Sequence, residues 1–174
     1  MKTALFVTLS FLLILFSCRK DSFITSPDAN LSISADTLHY DTVFTTVGSV
    51  TQSFKITNSN DQKLRISSVK LMGGPASSYK MNVDGVSTIE AGGIEIEAND
   101  SVYVFVQVNV DPASGNLPFI IRDSIQISYN GNDRLVQLEA WGQNAHFFRE
   151  KVIGASETWT NDLPYVIQGF LYVD

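Results

Sequence analysis

The sequence predicts an all-β protein: an antiparallel two-sheet sandwich of seven to eight strands, preceded by a short helical leader and followed by a β-type tail. Three observations carry that expectation. Apolar and polar residues alternate with period two through most of the chain, as in half-buried antiparallel strands. Clusters of Gly, Pro, Asn and Asp interrupt the alternation at short, regular intervals. Beyond the first residues, no amphipathic stretch is long enough for a helix.

Composition bounds the rest. The chain has 174 residues, 44% apolar and 17% charged, which suits one ordinary domain plus a small extra piece. A single cysteine rules out a disulfide framework. Twelve basic against eighteen acidic side chains give a formal charge of −6, with no basic run, so a dedicated nucleic-acid binder is excluded.

The first element is a leader. Lys2 precedes the uncharged run from Ala4 to Phe16, and Ser17, Cys18, Arg19 and Lys20 follow. That is a basic start, an apolar middle too short for a membrane span, and a small residue at the end, the pattern of an export signal over residues 1–17. A free cysteine is most often a buried small hydrophobe or a spare thiol; here it stands at the one place where a thiol has a purpose. Leu15-Phe16-Ser17-Cys18 resembles the lipobox of bacterial lipoproteins, and Cys-Arg-Lys-Asp after it is similar to lipoproteins of the Bacteroidota. The resemblance implies cleavage before Cys18, lipidation of Cys18, a membrane contact through that lipid anchor, and location in the cell envelope at the outer membrane, on its periplasmic or surface-exposed face. Residues 18–30 lack periodicity and read as a flexible tether.

Residues 31–143 carry the strands. Phe54 and Ile56 alternate with Lys55 and Thr57; Tyr79, Met81 and Val83 with Lys80 and Asn82. Val102, Val104, Val106, Val108 and Val110 share one face, and Ile125, Ile127 and Tyr129 another. Between Leu64-x-Ile66 and Val69-x-Leu71 the apolar phase slips by one, which predicts a bulge at Ser67-Ser68. Asn58 to Asp61, Gly73-Gly74-Pro75, Ala91-Gly92-Gly93, Asp111-Pro112 and Asn130-Gly131 read as turns, the last as a tight hairpin. The stretch Asp41 to Asn58, with Val47-Gly48 leading into Phe54-Lys55-Ile56-Thr57-Asn58 and then Leu64-Arg65-Ile66, resembles immunoglobulin-like domains related to major sperm protein, Hydin and the choice-of-anchor bacterial modules. This implies an immunoglobulin-like sandwich and is silent on activity.

From 144 to 174 aromatics are scattered among charges, and Gly169-Phe170-Leu171-Tyr172-Val173 is strand-like and apolar. An apolar strand of this kind needs a partner. The segment is expected to be a linker and the opening of a further β-domain, a parallel β-helix by analogy with similar lipoproteins; whether the chain is truncated after Asp174 is left open by the sequence.

Candidate chemistry is sparse. His39 and His146 are the only histidines and sit in no known catalytic motif, so the protein is expected not to be an enzyme, with no catalytic, metal-binding or cofactor-binding residues. His39 reads as a strand surface residue and His146 as packed beside Phe147 and Phe148. Glu95 and Glu97 share a strand face, which alternation with Ile94 and Ile96 already explains. Tyr103 and Phe105 occupy the polar face of the valine strand, either as a sugar-stacking platform or covered by the tail, and cover is the plainer expectation. Asp36-Thr37-Leu38, Asp41-Thr42-Val43, Asp100-Ser101-Val102 and Asp123-Ser124-Ile125 resemble O-glycosylation acceptors of Bacteroidota. The functional expectation is a lipid-anchored envelope protein whose sandwich is a non-catalytic spacer or interaction module, its protein or glycan partner open; the alternative is the anchoring front of a surface enzyme or adhesin acting on polysaccharide.

Overall fold

The computed structural model describes residues 22–45, 47–110 and 119–174. Cys18, the leader and the Asp111-Pro112 turn lie outside them. The elements, in order, are β1 (Leu31–Ile33), β2 (Thr37–Phe44), β3 (Gln52–Asn58), β4 (Leu64–Leu71), a 3-10 turn (Gly74–Ala76), β5 (Tyr79–Val83), β6 (Val86–Thr88), β7 (Glu90–Ile96), β8 (Ser101–Val108), β9 (Phe119–Tyr129), β10 (Asn132–Gln143), β11 (His146–Ile153) and β12 (Tyr165–Val173).

Ten strands form two five-stranded sheets, in the orders β1-β3-β8-β5-β6 and β2-β10-β9-β4-β7. Setting aside β2, β6 and β7, the remaining seven in chain order stand as A-B-E-D in one sheet and C-F-G in the other. That is the strand order of an immunoglobulin-like domain. The expected seven to eight strands were too few because β6 is only three residues long and β7 is an extra strand on the outer edge of β4. The purely antiparallel expectation also needs correction. After β1 the chain crosses to the second sheet, and β2 runs parallel to β10, with a register shift where Asp41 bulges opposite Ala140 and Trp141.

Alternation does the packing. Phe54 and Ile56 of β3, Val104, Val106 and Val108 of β8, Ile125 and Ile127 of β9 and Val136 and Leu138 of β10 are essentially solvent-free. Each contributes roughly 1.5–3 kcal/mol of burial. The phase slip in β4 is present: Leu64, Ile66, Val69 and Leu71 are all fully buried. A one-sided bulge is not its form. Pairing with β7 keeps register from Ile66↔Ile94 to Ser68↔Gly92, so both strands buckle together. Gly93 takes φ +69°, and a Cβ on Gly92 would come within 3.1 Å of the Ser67 carbonyl oxygen. Gly92 and Gly93, expected to end a strand, therefore lie inside β7, where they absorb the kink. The Asn130-Gly131 hairpin is as expected, both residues at positive φ (45° and 81°) as a type I′ turn requires.

The described part of the expected tether lies against the sandwich. The Ile24 amide donates to the Lys63 carbonyl at 2.8 Å, and the Arg65 guanidinium covers the Phe23 ring at 4.4 Å. The Asn130 side-chain amide donates to the carbonyls of Ile24 and Ser26, and that of Asn132 to Pro27. Ala29 is buried in the core.

The tail strands β11 and β12 pair parallel with each other as a separate two-stranded sheet. Residues 154–164 connect them without a helix and bring Trp159 onto Phe148 and Tyr165, with centroids 4.9 and 4.8 Å away. Phe147 meets Phe44 of β2 edge-on at 6.4 Å.

Candidate functional site

Polar positions on β4 and β7 point outward by alternation, and the antiparallel register sets opposite charges beside each other. Arg65 pairs with Glu95 at 2.7 Å, Lys63 with Glu97 at 2.8 Å, and Lys70 with Glu90 at 3.2 Å. Glu95 and Glu97 are thus two rungs of an ion-pair ladder rather than a carboxylate pair. The Lys70 ammonium and the Ser68 hydroxyl hold the Glu90 carboxyl below its ordinary range. Such exposed pairs are screened by solvent and add little to stability.

His39, Glu139 and Arg122 form a row across β2, β10 and β9. Arg122 Nε donates to Glu139 at 2.8 Å, while His39 Nδ1 stays 3.9 Å away and its side chain is 71% exposed. The plain surface reading of His39 fits this row. His146 Nε2 lies 3.0 Å from Asp162 Oδ1, and its ring packs on Tyr165 at 4.9 Å. The Thr160 hydroxyl first, and then His146, hold the Asp162 carboxyl down to about 2. The pair clips the 154–164 connection to the start of β11. Among the described residues no three His, Cys, Asp or Glu side chains gather as a metal would require, and no helix is long and apolar enough to cross a membrane.

Of the four Asp-Ser/Thr-aliphatic triplets, only Thr42 is an exposed acceptor; Thr37, Ser101 and Ser124 are half-buried. In three of them the carboxylate accepts the next residue's backbone N–H at 2.7 Å. In Asp123 it also accepts from the Gly73 amide and the Ser77 hydroxyl, so that triplet closes the turn before β5.

The richest outward face belongs to the first sheet, along β8. Tyr103 and Phe105 point away from the core because Val102, Val104 and Val106 point into it. Their rings lie 5.8 Å apart with planes 16° from parallel, and they are 46% and 41% exposed. The expected cover by the tail is therefore corrected: β11 and β12 pair with each other and meet the sandwich at Phe44, on the other sheet. Cross-strand pairing sets Ser53 and Asn82 on either side of Phe105, Lys55 opposite Tyr103, and Lys80 opposite Gln107. The Lys55 ammonium sits 5.6 Å from the Tyr103 ring centroid. A groove of about 450 Å³ runs beside Phe105, lined by Thr51, Lys80, Asn82, Ser87 and Gln107. Its volume falls within the range of small-ligand sites.

Three structural residues were hidden in the sequence. Asn58, read as a turn former, is a fully buried clamp at the end of β3. Tyr40 sends its hydroxyl across the sandwich to the Val106 carbonyl at 2.6 Å. Asn82, one of many polar alternants, carries a buried side-chain oxygen with no hydrogen-bond partner. Only tertiary neighbours distinguish these from ordinary strand and turn residues.

No protein-family model matches the chain, and no curated protein matches it. Among solved structures it overlaps with a family 123 glycoside hydrolase from Clostridium perfringens at 10% identity and a TM-score of 0.45, covering 68% of this chain and 30% of that one. It overlaps with a PapD-like domain of human CEP192 at 10% identity and 0.45, covering 74% and 99%. A protein of unknown function from Porphyromonas gingivalis W83 overlaps at 8% identity and 0.47, covering 71% and 59%. The chain spans less than a third of the hydrolase and about three-fifths of the Porphyromonas protein. At these TM-scores nothing about this chain is drawn from them, and the immunoglobulin-like assignment rests on its own strand order.

Proposed function

We propose that this chain is a lipid-anchored cell-envelope protein, held at the outer membrane through Cys18, whose immunoglobulin-like sandwich is a non-catalytic spacer. The observation that supports the spacer role is the placement of entry and exit. Residues 24–27 are bonded to Asn130 and Asn132, at the start of β10, and the chain leaves the sandwich at Gln143, at the far end of the same strand. Twelve residues at a rise of roughly 3.3 Å put about 36 Å between the two points. From Cys18 to Phe23 the leash reaches at most roughly 18 Å. A sandwich on so short a leash keeps its entry end near the bilayer and carries whatever follows Gln143 away from it. Stable anchoring needs more than one acyl chain, which the lipobox resemblance supplies.

The test is expression of wild type and Cys18→Ser in a bacterium with a lipoprotein pathway. The wild type should incorporate labelled palmitate and sediment with membranes, and the variant should do neither. Equal membrane association of the two overturns the anchor.

A second reading makes the chain the anchoring front of a larger surface enzyme or adhesin. It is favoured by β12, where Phe170, Tyr172 and Val173 are more than half exposed on a strand paired along one side only. A reading frame continuing past Asp174 into further β-rich sequence would support it, and a stop codon there would oppose it.

A further inference from the structure

We propose that the outer face of the first sheet, centred on Phe105, binds an acidic glycan, that is, a polysaccharide of pyranose rings carrying carboxylates. The proposal goes beyond the anchor and spacer roles and stands independently of both. Four features converge on β8 and its neighbours. Two near-parallel aromatic rings, both over 40% exposed, present flat apolar surface on a face otherwise built of polar residues. The C–H face of a sugar ring stacks on such surface, leaving its hydroxyls at the rim.

The rim here is polar. The groove beside Phe105 carries the side chains of Thr51, Asn82, Ser87 and Gln107, all able to bond hydroxyls. The Gln107 amide nitrogen is already engaged, donating to the Ser49 carbonyl at 3.1 Å, which fixes the side chain. Asn82 is more telling. Its side-chain oxygen is buried without a partner, whereas nearly all buried polar atoms are bonded. Asn82 lies directly opposite Phe105 and also opposite Ser87; its oxygen is enclosed, so a ligand in the groove would meet the other end of the amide, whose nitrogen no hydrogen bond among the described residues holds.

Charge narrows the class. The protein carries −6 overall, yet this face presents Lys80 in the groove and Lys55 above Tyr103. Among the described residues Lys80 has no acidic partner, unlike Lys63, Lys70 and Lys151, each of which holds a glutamate. The acid on the same rows is Asp84, opposite Tyr103 beyond the end of β5. An unpaired ammonium beside a stacking ring and the Asn82 amide favours a sugar carboxylate over a neutral ring. A nucleic acid would need a broader positive field than two lysines on an acidic protein provide.

Affinity electrophoresis of the full chain in native gels tests this, with polygalacturonate and alginate as acidic probes, dextran as the neutral one and single-stranded DNA as a further control. Retardation by an acidic probe, weakened by salt, is expected. Phe105→Ala and Lys80→Gln should each lower affinity about tenfold, while Trp141→Ala, an exposed aromatic of the other sheet, should leave it unchanged. Circular dichroism confirms that the variants fold, since both positions are on the surface. Retardation that survives Phe105→Ala, or is lost equally in Trp141→Ala, overturns the proposal. So does equal binding to dextran or DNA, no binding to either acidic probe, or sedimentation showing that Phe105→Ala dissolves a dimer formed through this face.

Discussion

Replacing Asn58 should reveal how one polar side chain joins three strands. Asn58 is fully buried where β3 ends. Its amide nitrogen donates to the carbonyls of Gln62 (2.8 Å), Ile96 (3.1 Å) and Glu97 (2.8 Å), before β4 and at the end of β7. Its oxygen accepts from the backbone and side-chain nitrogens of Asn60, at 3.1 and 2.7 Å. Two hydrogens serve three carbonyls, so one is shared. Asn58→Ala removes about four hydrogen bonds worth roughly 0.5–1.5 kcal/mol each, and water can recover part of the loss at the loop side. We expect a cost of about 3 kcal/mol, a large share of the roughly 5–15 kcal/mol that holds a domain together. With a urea m-value of about 2 kcal/mol/M, the midpoint should fall by about 1.5 M.

Asn58→Asp sharpens the test. A carboxylate facing three carbonyl oxygens is disfavoured, so its folded pKa is raised above the unfolded value of about 3.9. Stability is then present below that value and lost as pH rises through the folded pKa. At pH 7 the Asp variant should be less stable than the Ala variant. At about pH 3.5 the protonated acid donates one hydrogen bond, and the order should reverse. Urea titrations followed by far-ultraviolet circular dichroism at both pH values decide it. An Ala variant within about 0.5 kcal/mol of wild type, or an Asp variant indifferent to pH, would refute the clamp.

Burial raises Tyr40 and Tyr79 above the ordinary phenol range, so their contribution is intact below about pH 10 and lost as pH climbs further; alkaline titration should unfold the sandwich, and Tyr40→Phe should cost about 1–3 kcal/mol at pH 7 while moving the alkaline onset upward. A chain covering residues 22–143 should unfold cooperatively, and one covering 31–143 should fold but be about 2–4 kcal/mol weaker, because it lacks buried Ala29 and the bonds from Asn130 and Asn132; equal urea midpoints would count against a structural role for residues 22–30. The exposed apolar side chains of β12 should make the full chain self-associate, with relief on deleting 147–174; sedimentation that finds a monomer, unchanged by Phe170→Ser with Tyr172→Ser, would refute this.

What the sequence determined alone is what depends on local periodicity. Valines at every second position of β8 can bury only one face, so the strand, its inward residues and the outward Tyr103 and Phe105 all follow without knowledge of any neighbour. Asn130-Gly131 likewise sets its hairpin through backbone preferences of two residues. The slip between Ile66 and Val69 was legible in β4, but its form was not, because the answering Gly92 and Gly93 lie on a different strand and read locally as a turn.

Everything that depends on which strands meet was decided by the tertiary structure. The parallel seat of β2 beside β10, the docking of residues 22–30 onto the Asn130 hairpin and the burial of Asn58 among three carbonyls are long-range pairings whose partners carry no mark in the local pattern. The groove at Phe105 is of the same kind. Thr51 precedes β3 while Lys80, Asn82 and Ser87 lie on the β5-β6 hairpin, and only the registers of β3 and β5 against β8, with β6 paired to β5, bring them beside Phe105 and Gln107. A period-two pattern specifies a face and not its neighbours, which is why the sandwich was readable from the residues and its candidate site became visible only once the sheets had closed.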